Sequence, residues 1–186
     1  MIDGPAIERA MSAMIEAIGE DPRREGLRGT PERVARAYAE IFRGIGEDPA
    51  AELEVGFEEG HREMVIIKDL PFYSMCEHHF LPFFGVAHLG YLPDGKVVGV
   101  SKLARVVEIL SKRPQLQERL TTQIAEAIQA AVHPIGVAVV TSAEHLCMTM
   151  RGIKKPGTSV VTSATRGAFR KSAVTRSEFL SLVQRG

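Results

Sequence analysis

A chain of 186 residues, 45% hydrophobic and 25% charged, has the composition of one soluble globular domain with room for a helical appendage. Lys plus Arg equals Asp plus Glu at 23 each, so the basic excess of a general nucleic-acid binder is missing, though a local cluster for a small phosphate ligand stays possible. No apolar run reaches the ~18 residues of a membrane span, and the opening MIDGPAIERA lacks the apolar stretch of a signal peptide.

The compartment this predicts is the cytoplasm, where two cysteines point to metal or catalysis before a disulfide. Ile7, Met11, Met14, Ile15 and Ile18 follow helical spacing, with Gly19 as a stop. Thr30 reads as the N-cap of a second helix, with Pro31 at its first position and Val34, Ala37, Tyr38 and Ile41 on one face up to Gly44. The acidic stretch Ile45 to Gly60 reads as a connection. Residues 1–60 are thus expected to form a helical arm and residues 61–186 the main domain.

In the main domain, MVIIKDLPFYSMC and FFGVAHLGYLP read as strands. Asp94-Gly95 predicts a tight hairpin, with VVGV as the returning strand. Ser101 is placed to cap a helix with the stripe Leu103, Val106, Val107 and Leu110, broken by Pro114. A second helix carries Leu116, Leu120, Ile124 and Ile128 and ends near His133-Pro134. VAVVTS and Thr158 to Ser163 read as strands, and Thr175-x-x-Glu178 as a capping box opening a last helix. Strands segregated from helices predict an α+β fold with an antiparallel sheet.

The chemistry starts at Cys76-Glu77-His78-His79. Cys76 and His79 are three residues apart, so one turn can aim both at a point, and Cys147 is the other cysteine. Two thiolates and an imidazole suit zinc and leave a fourth position open, as in catalytic sites. The plainer alternative is two inert cysteines and a surface histidine. Water on such a zinc ionises near neutral pH and can attack a purine carbon. The H-x-E and P-C-x-x-C signature of the zinc deaminases is absent, however. His78 and His145 flank the ligands and suit proton transfer or simple support. Ser101, Lys102 and Arg105 open a helix, where phosphate is attracted, although such a cluster is also an ordinary solvated face. Gln117 and Glu118 lie at the next helix start, where a carboxylate could pair with guanine N1–H and its amino group or simply meet the helix dipole.

The blocks TPERVARAY, CEHHFLPFFG, GVSKLARVVE, SKRPQLQERLT and AEHLCMTMRGI, taken together and in order from Thr30 to Phe179, resemble GTP cyclohydrolase I. The resemblance implies hydrolysis and rearrangement of GTP to 7,8-dihydroneopterin triphosphate and formate, the first step toward folate or other pterins. It implies one zinc per chain on Cys76, His79 and Cys147. His78 would exchange a proton with purine N7, His145 would sit near the ribose ring oxygen, and Ser101 would assist the later rearrangement. Gln117 and Glu118 would grip the guanine edge, and Lys102, Arg105, Arg151 and Arg33 would meet the triphosphate. The implied fold is the tunnelling fold, a four-stranded antiparallel sheet with two helices on one face, here with an N-terminal helical arm. The implied assembly is a decamer of two pentamers with active sites between subunits, and neither nucleic acid nor membrane is an expected partner. A non-catalytic pterin or nucleotide binder, or a nitrile-reducing relative using cysteine and NADPH, would have no use for the full metal set with both histidines.

Overall fold

A computed structural model describes residues 2–54 and 56–184. In chain order the elements are α1 (Gly4–Ala17), α2 (Thr30–Ile41), a 3-10 turn (Pro49–Leu53), β1 (Gly56–Glu58), β2 (Val65–Cys76), β3 (Leu81–Leu92), β4 (Lys96–Val98) and α3 (Val100–Ser111). There follow β5 (Pro114–Gln115), α4 (Gln117–Val132), β6 (Gly136–His145), α5 (Leu146–Thr149), β7 (Ser159–Gly167), α6 (Ala168–Lys171) and α7 (Ala173–Gln184).

The main sheet has the order β5-β2-β3-β6-β7. Its four long strands are antiparallel neighbours, and two-residue β5 lies parallel to the end of β2. Helices α3 and α4 cover one face. Leu103, Val106, Val107 and Leu110 of α3 and Leu120, Ile124 and Ile128 of α4 are all buried there, as their spacing predicts, whereas Leu116, expected on the same stripe, is half-buried and stands just before α4. Four antiparallel strands with two helices on one face is the α+β arrangement expected. The other face is covered in part by the C-terminal helices, through Phe169 and Phe179 against Ala138. Among the described residues no helix is long and apolar enough to cross a membrane.

A bulge in β2 decides which way its end faces. Pairing with β3 slips between Ile67 and Leu70. Before the slip, Val65 and Ile67 meet the helix-side core; after it, Leu70, Phe72 and Cys76 do. A strand alternates faces with period two, so the extra residue turns Cys76 inward. Asp69 takes φ +57 in the bulge, and its N–H donates to His88 Nδ1 at 3.1 Å.

Several local expectations are corrected. Asp94-Gly95 does turn the chain, with Gly95 at φ +78, but the returning residues Lys96–Val98 pair with β1 instead of β3. Both edges of β3 are already taken by β2 and β6. The connection from Ile45 to Gly60 therefore contains β1 and the 3-10 turn, whose Leu53 is fully buried in the main core. Thr30 and Ser101 lie inside their helices, where Gly29 and Gly99 hold the cap positions. Thr30 Oγ1 is engaged by Arg33 Nη2 at 3.0 Å. Ala37 is exposed and Ala35 is buried. The last helix starts before Thr175, whose N–H is received by Ser172 Oγ at 3.2 Å, so the true cap lies three residues earlier.

The arm is bonded to the rest of the chain. Gly44 N–H donates to Lys112 O at 3.1 Å, and Arg113 Nε donates to Gly44 O at 2.8 Å. A Cβ at Gly44 would stand 2.0 Å from Ile109 O, so only glycine permits this approach.

Candidate active site

Three chain segments converge at one end of the sheet. Cys76 ends β2, the turn Glu77–Phe80 leads into β3, and Cys147 lies in α5 directly after β6. The turn closes through Phe80 N–H to Cys76 O at 2.9 Å. Phe80 takes φ +51, a conformation a bulky residue rarely adopts. Its ring centroid lies 5.7 Å from that of Phe42, so the arm touches this turn.

The ligand atoms of Cys76, His79 and Cys147 all lie within 4.8 Å of one another. Two Zn–S bonds at a tetrahedral angle would set the sulfurs about 3.8 Å apart, so the spacing fits a metal of zinc's size. Burial pushes the Cys147 thiol up, and Cys76 beside it adds to the shift. A bound cation would reverse that preference and ionise both thiols. His78 is exposed beside this cluster, its ring edge-on to His79 at 6.2 Å.

His145 ends β6 opposite Phe83, and the two rings stack at 4.6 Å and 4°. Its Nε2 lies 2.7 Å from Gln117 Oε1. Gln117 is 2% exposed. Its Nε2 donates to Val160 O at 2.9 Å and to Thr141 O and Oγ1, each at 3.2 Å. Those carbonyls can only accept, which fixes the amide orientation and leaves Oε1 as an acceptor. His145 therefore carries its proton on Nε2 and keeps a free lone pair on Nδ1. Burial lowers its basicity and Glu118 partly opposes this.

The other predicted residues fall in different places. Glu118 is exposed in the first turn of α4, and exposed Arg151 is close enough to act electrostatically on Cys147. Ser101, Lys102 and Arg105 stand at the start of α3, a helix about 18 Å long, whose other end leads to β5 beside Cys76. Lys102 Nζ meets Glu52 Oε2 at 3.0 Å and Arg105 Nε meets the same oxygen at 3.9 Å. Arg33 lies in the first turn of α2 on the arm. One chain thus gathers Cys76, His78, His79, Gln117, Glu118, His145, Cys147 and Arg151, and holds Ser101, Lys102, Arg105 and Arg33 elsewhere.

Sequence reasoning missed Glu52, Phe83 and the hydroxyl cluster of Thr121, Thr141 and Thr162, whose oxygens lie 2.6–2.8 Å apart. Phe83 and Thr121 stand inside the quoted blocks, but nothing in their spacing marks them, and Glu52, Thr141 and Thr162 lie outside every block. It also missed that Glu77 pairs with Arg119, although both stand inside the motifs that drew attention.

Three donors able to hold a metal, beside histidines able to move protons, have the composition of a metal-assisted hydrolytic centre on an α+β scaffold. The family model described as GTP cyclohydrolase I matches residues 7–184, and the chain belongs to that family. A GTP cyclohydrolase 1 of Dehalococcoides mccartyi is 65% identical over 186 residues, covering 99% of this chain and 98% of the relative. That of Pelotomaculum thermopropionicum is 61% identical, with 99% and 98% covered. That of Streptococcus agalactiae is 55% identical, with 97% of each covered. Among solved structures, the archaeosine synthase QueF-Like in the apo form aligns with a TM-score of 0.47 at 23% identity, covering 56% of this chain and 93% of that one.

Proposed function

We propose that this chain converts GTP and water to 7,8-dihydroneopterin triphosphate and formate, at a site centred on Cys76, His79 and Cys147 with one zinc ion per chain. The observation that carries the reading is the convergence of those three donors within 4.8 Å. When bound there, zinc supplies Lewis-acid activation of a water at neutral pH.

The chain's own side chains do the rest. Glu118 accepts the two guanine donors, N1–H and the amino group, and so orients C8 toward the cluster. His78 gives and takes the proton at N7 as the imidazole ring opens and formate leaves. His145, its Nε2–H spent on Gln117, takes a proton at Nδ1 and delivers it to the ribose ring oxygen as the sugar opens. The ribose then opens, undergoes an Amadori rearrangement with help from Ser101, and recloses as the pterin. Lys102, Arg105, Arg151 and Arg33 hold the triphosphate. Gln117 belongs to the guanine-binding turn, and its side chain serves that turn by fixing His145.

Lys102 and Arg105 lie at the far end of α3 from Cys76. That separation supports sites completed between subunits, in a decamer of two pentamers joined at sheet edges, which also covers edges that invite aggregation. Helices α1 and α2 act as the arm, and the chain from Pro49 onward packs with the tunnelling-fold domain of a cytoplasmic enzyme. The test is to incubate GTP with the zinc-loaded protein and follow formate and the pterin absorbance with no added cofactor. Formate and pterin in equal amounts support the reading; GTP bound but unchanged would replace it with a non-catalytic binder.

A further inference from the structure

Glu77 and Arg119 form a two-pronged ion pair across 42 positions of sequence. Arg119 Nη2 donates to Glu77 Oε1 at 3.0 Å, and Nη1 pairs with Oε2. Glu77 stands between ligand Cys76 and the two histidines, and its own N–H donates to Gln115 O at 3.1 Å. Arg119 follows Glu118 in the first turn of α4. One guanidinium thus spans the metal turn and the base-reading turn. The side chains of Arg119 and Glu77 keep 43% and 30% exposure, and an exposed pair of this kind adds little to folding stability. The planar fork instead fixes direction, which a single contact from lysine would not.

We infer that Arg119 and Glu77 are positioning residues that hold the metal turn at a fixed distance from the guanine-binding turn. The inference rests on the proposed GTP reaction. A purine held by Glu118 must present C8 to the cluster, and a displacement of about 1 Å in such a site costs on the order of a hundredfold in rate. The pair also engages both oxygens of Glu77, which keeps that carboxylate from turning toward the cation site beside it.

The test uses the full chain carrying Glu77→Gln, Arg119→Lys, and the exchanged pair Glu77→Arg with Arg119→Glu. Two quantities are read: KM and kcat for GTP, and the rate at which a colorimetric chelator strips zinc. Either single change is expected to lower kcat/KM about tenfold and to speed zinc loss, with the fold intact by circular dichroism. The exchanged pair is expected to recover a large part of both. Single variants equal to the unsubstituted chain in both readouts, or an exchanged pair no better than the singles, would overturn the inference. An unsubstituted chain that neither holds zinc nor turns over GTP would remove the reading beneath it instead.

Discussion

The N–H of Asp69 donates to Nδ1 of His88 at 3.1 Å, and this bond stands inside the bulge that turns Cys76 toward the helices. A fold detail seven residues from the metal turn thus decides whether a ligand faces its partners. Burial holds His88 below its ordinary value of 6.5, with Asp69 opposing and Lys68 adding. Because the folded value is lowered, the unfolded chain takes the proton first. The contribution to stability is full above pH 6.5 and is lost as pH falls toward the folded value. His88→Gln keeps an acceptor and removes the titration. Urea midpoints measured at several pH values on both sides of 6.5 should fall more steeply for the natural chain than for this variant. Parallel curves would show that the ring's protonation is not linked to folding.

Gln117 and Glu118 are neighbours with opposite commitments. Gln117→Leu removes the amide's contacts to Thr141, Val160 and His145, at about 1–3 kcal/mol for each group thereby left unpaired and out of reach of water. It should lower the unfolding midpoint as well as turnover. Glu118→Ala should leave the midpoint alone and abolish tight GTP binding. Calorimetric titration beside thermal melts separates the two, and a Glu118→Ala protein with undiminished GTP affinity would end its role at the guanine edge.

Glu52 competes for the cations assigned to phosphate. Its carboxylate contacts both Lys102 and Arg105, and an incoming triphosphate must take its place. Glu52→Gln should tighten inhibition by inorganic triphosphate, by up to about fivefold if the contact is worth about 1 kcal/mol. Weaker inhibition would mean that Glu52 orients the two cations for the ligand.

Cys147 is the third ligand in the proposed metal site. Cys147→Ala should lose both zinc and turnover while its sheet remains, since Cys147 only packs against the edge of the core. Stoichiometric zinc in that variant would remove it from the ligand set.

Much of the fold was legible because periodicity reports burial. The stripes of α3 and α4 lie on the buried faces of those helices, apart from Leu116, which is half-buried just before α4. Pairing partners were not legible. Lys96–Val98 carries a hairpin signal, but β3 had no free edge to receive it. Caps slipped by one residue at Thr30, by two at Ser101 and by three at Thr175, because a polar side chain near a helix start marks the end only roughly. In the site, C-x-x-H announced Cys76 and His79, and Cys147 followed as the remaining cysteine. The partnership of Gln117 with His145 spans 28 positions and depends on the register of β6, which no local pattern carries.

The central claim is that adjacent histidines do different work, and one paired measurement tests it. His79→Ala and His78→Ala are each purified, assayed for zinc by elemental analysis, and incubated with GTP, with products read by chromatography and mass detection. His79→Ala should lose zinc and all turnover. His78→Ala should keep zinc and bind GTP, yet form pterin slower by roughly 10²–10⁴-fold, the contribution of a positioned acid or base. Zinc lost from His78→Ala and kept by His79→Ala, or normal pterin formation by His78→Ala, would contradict the account.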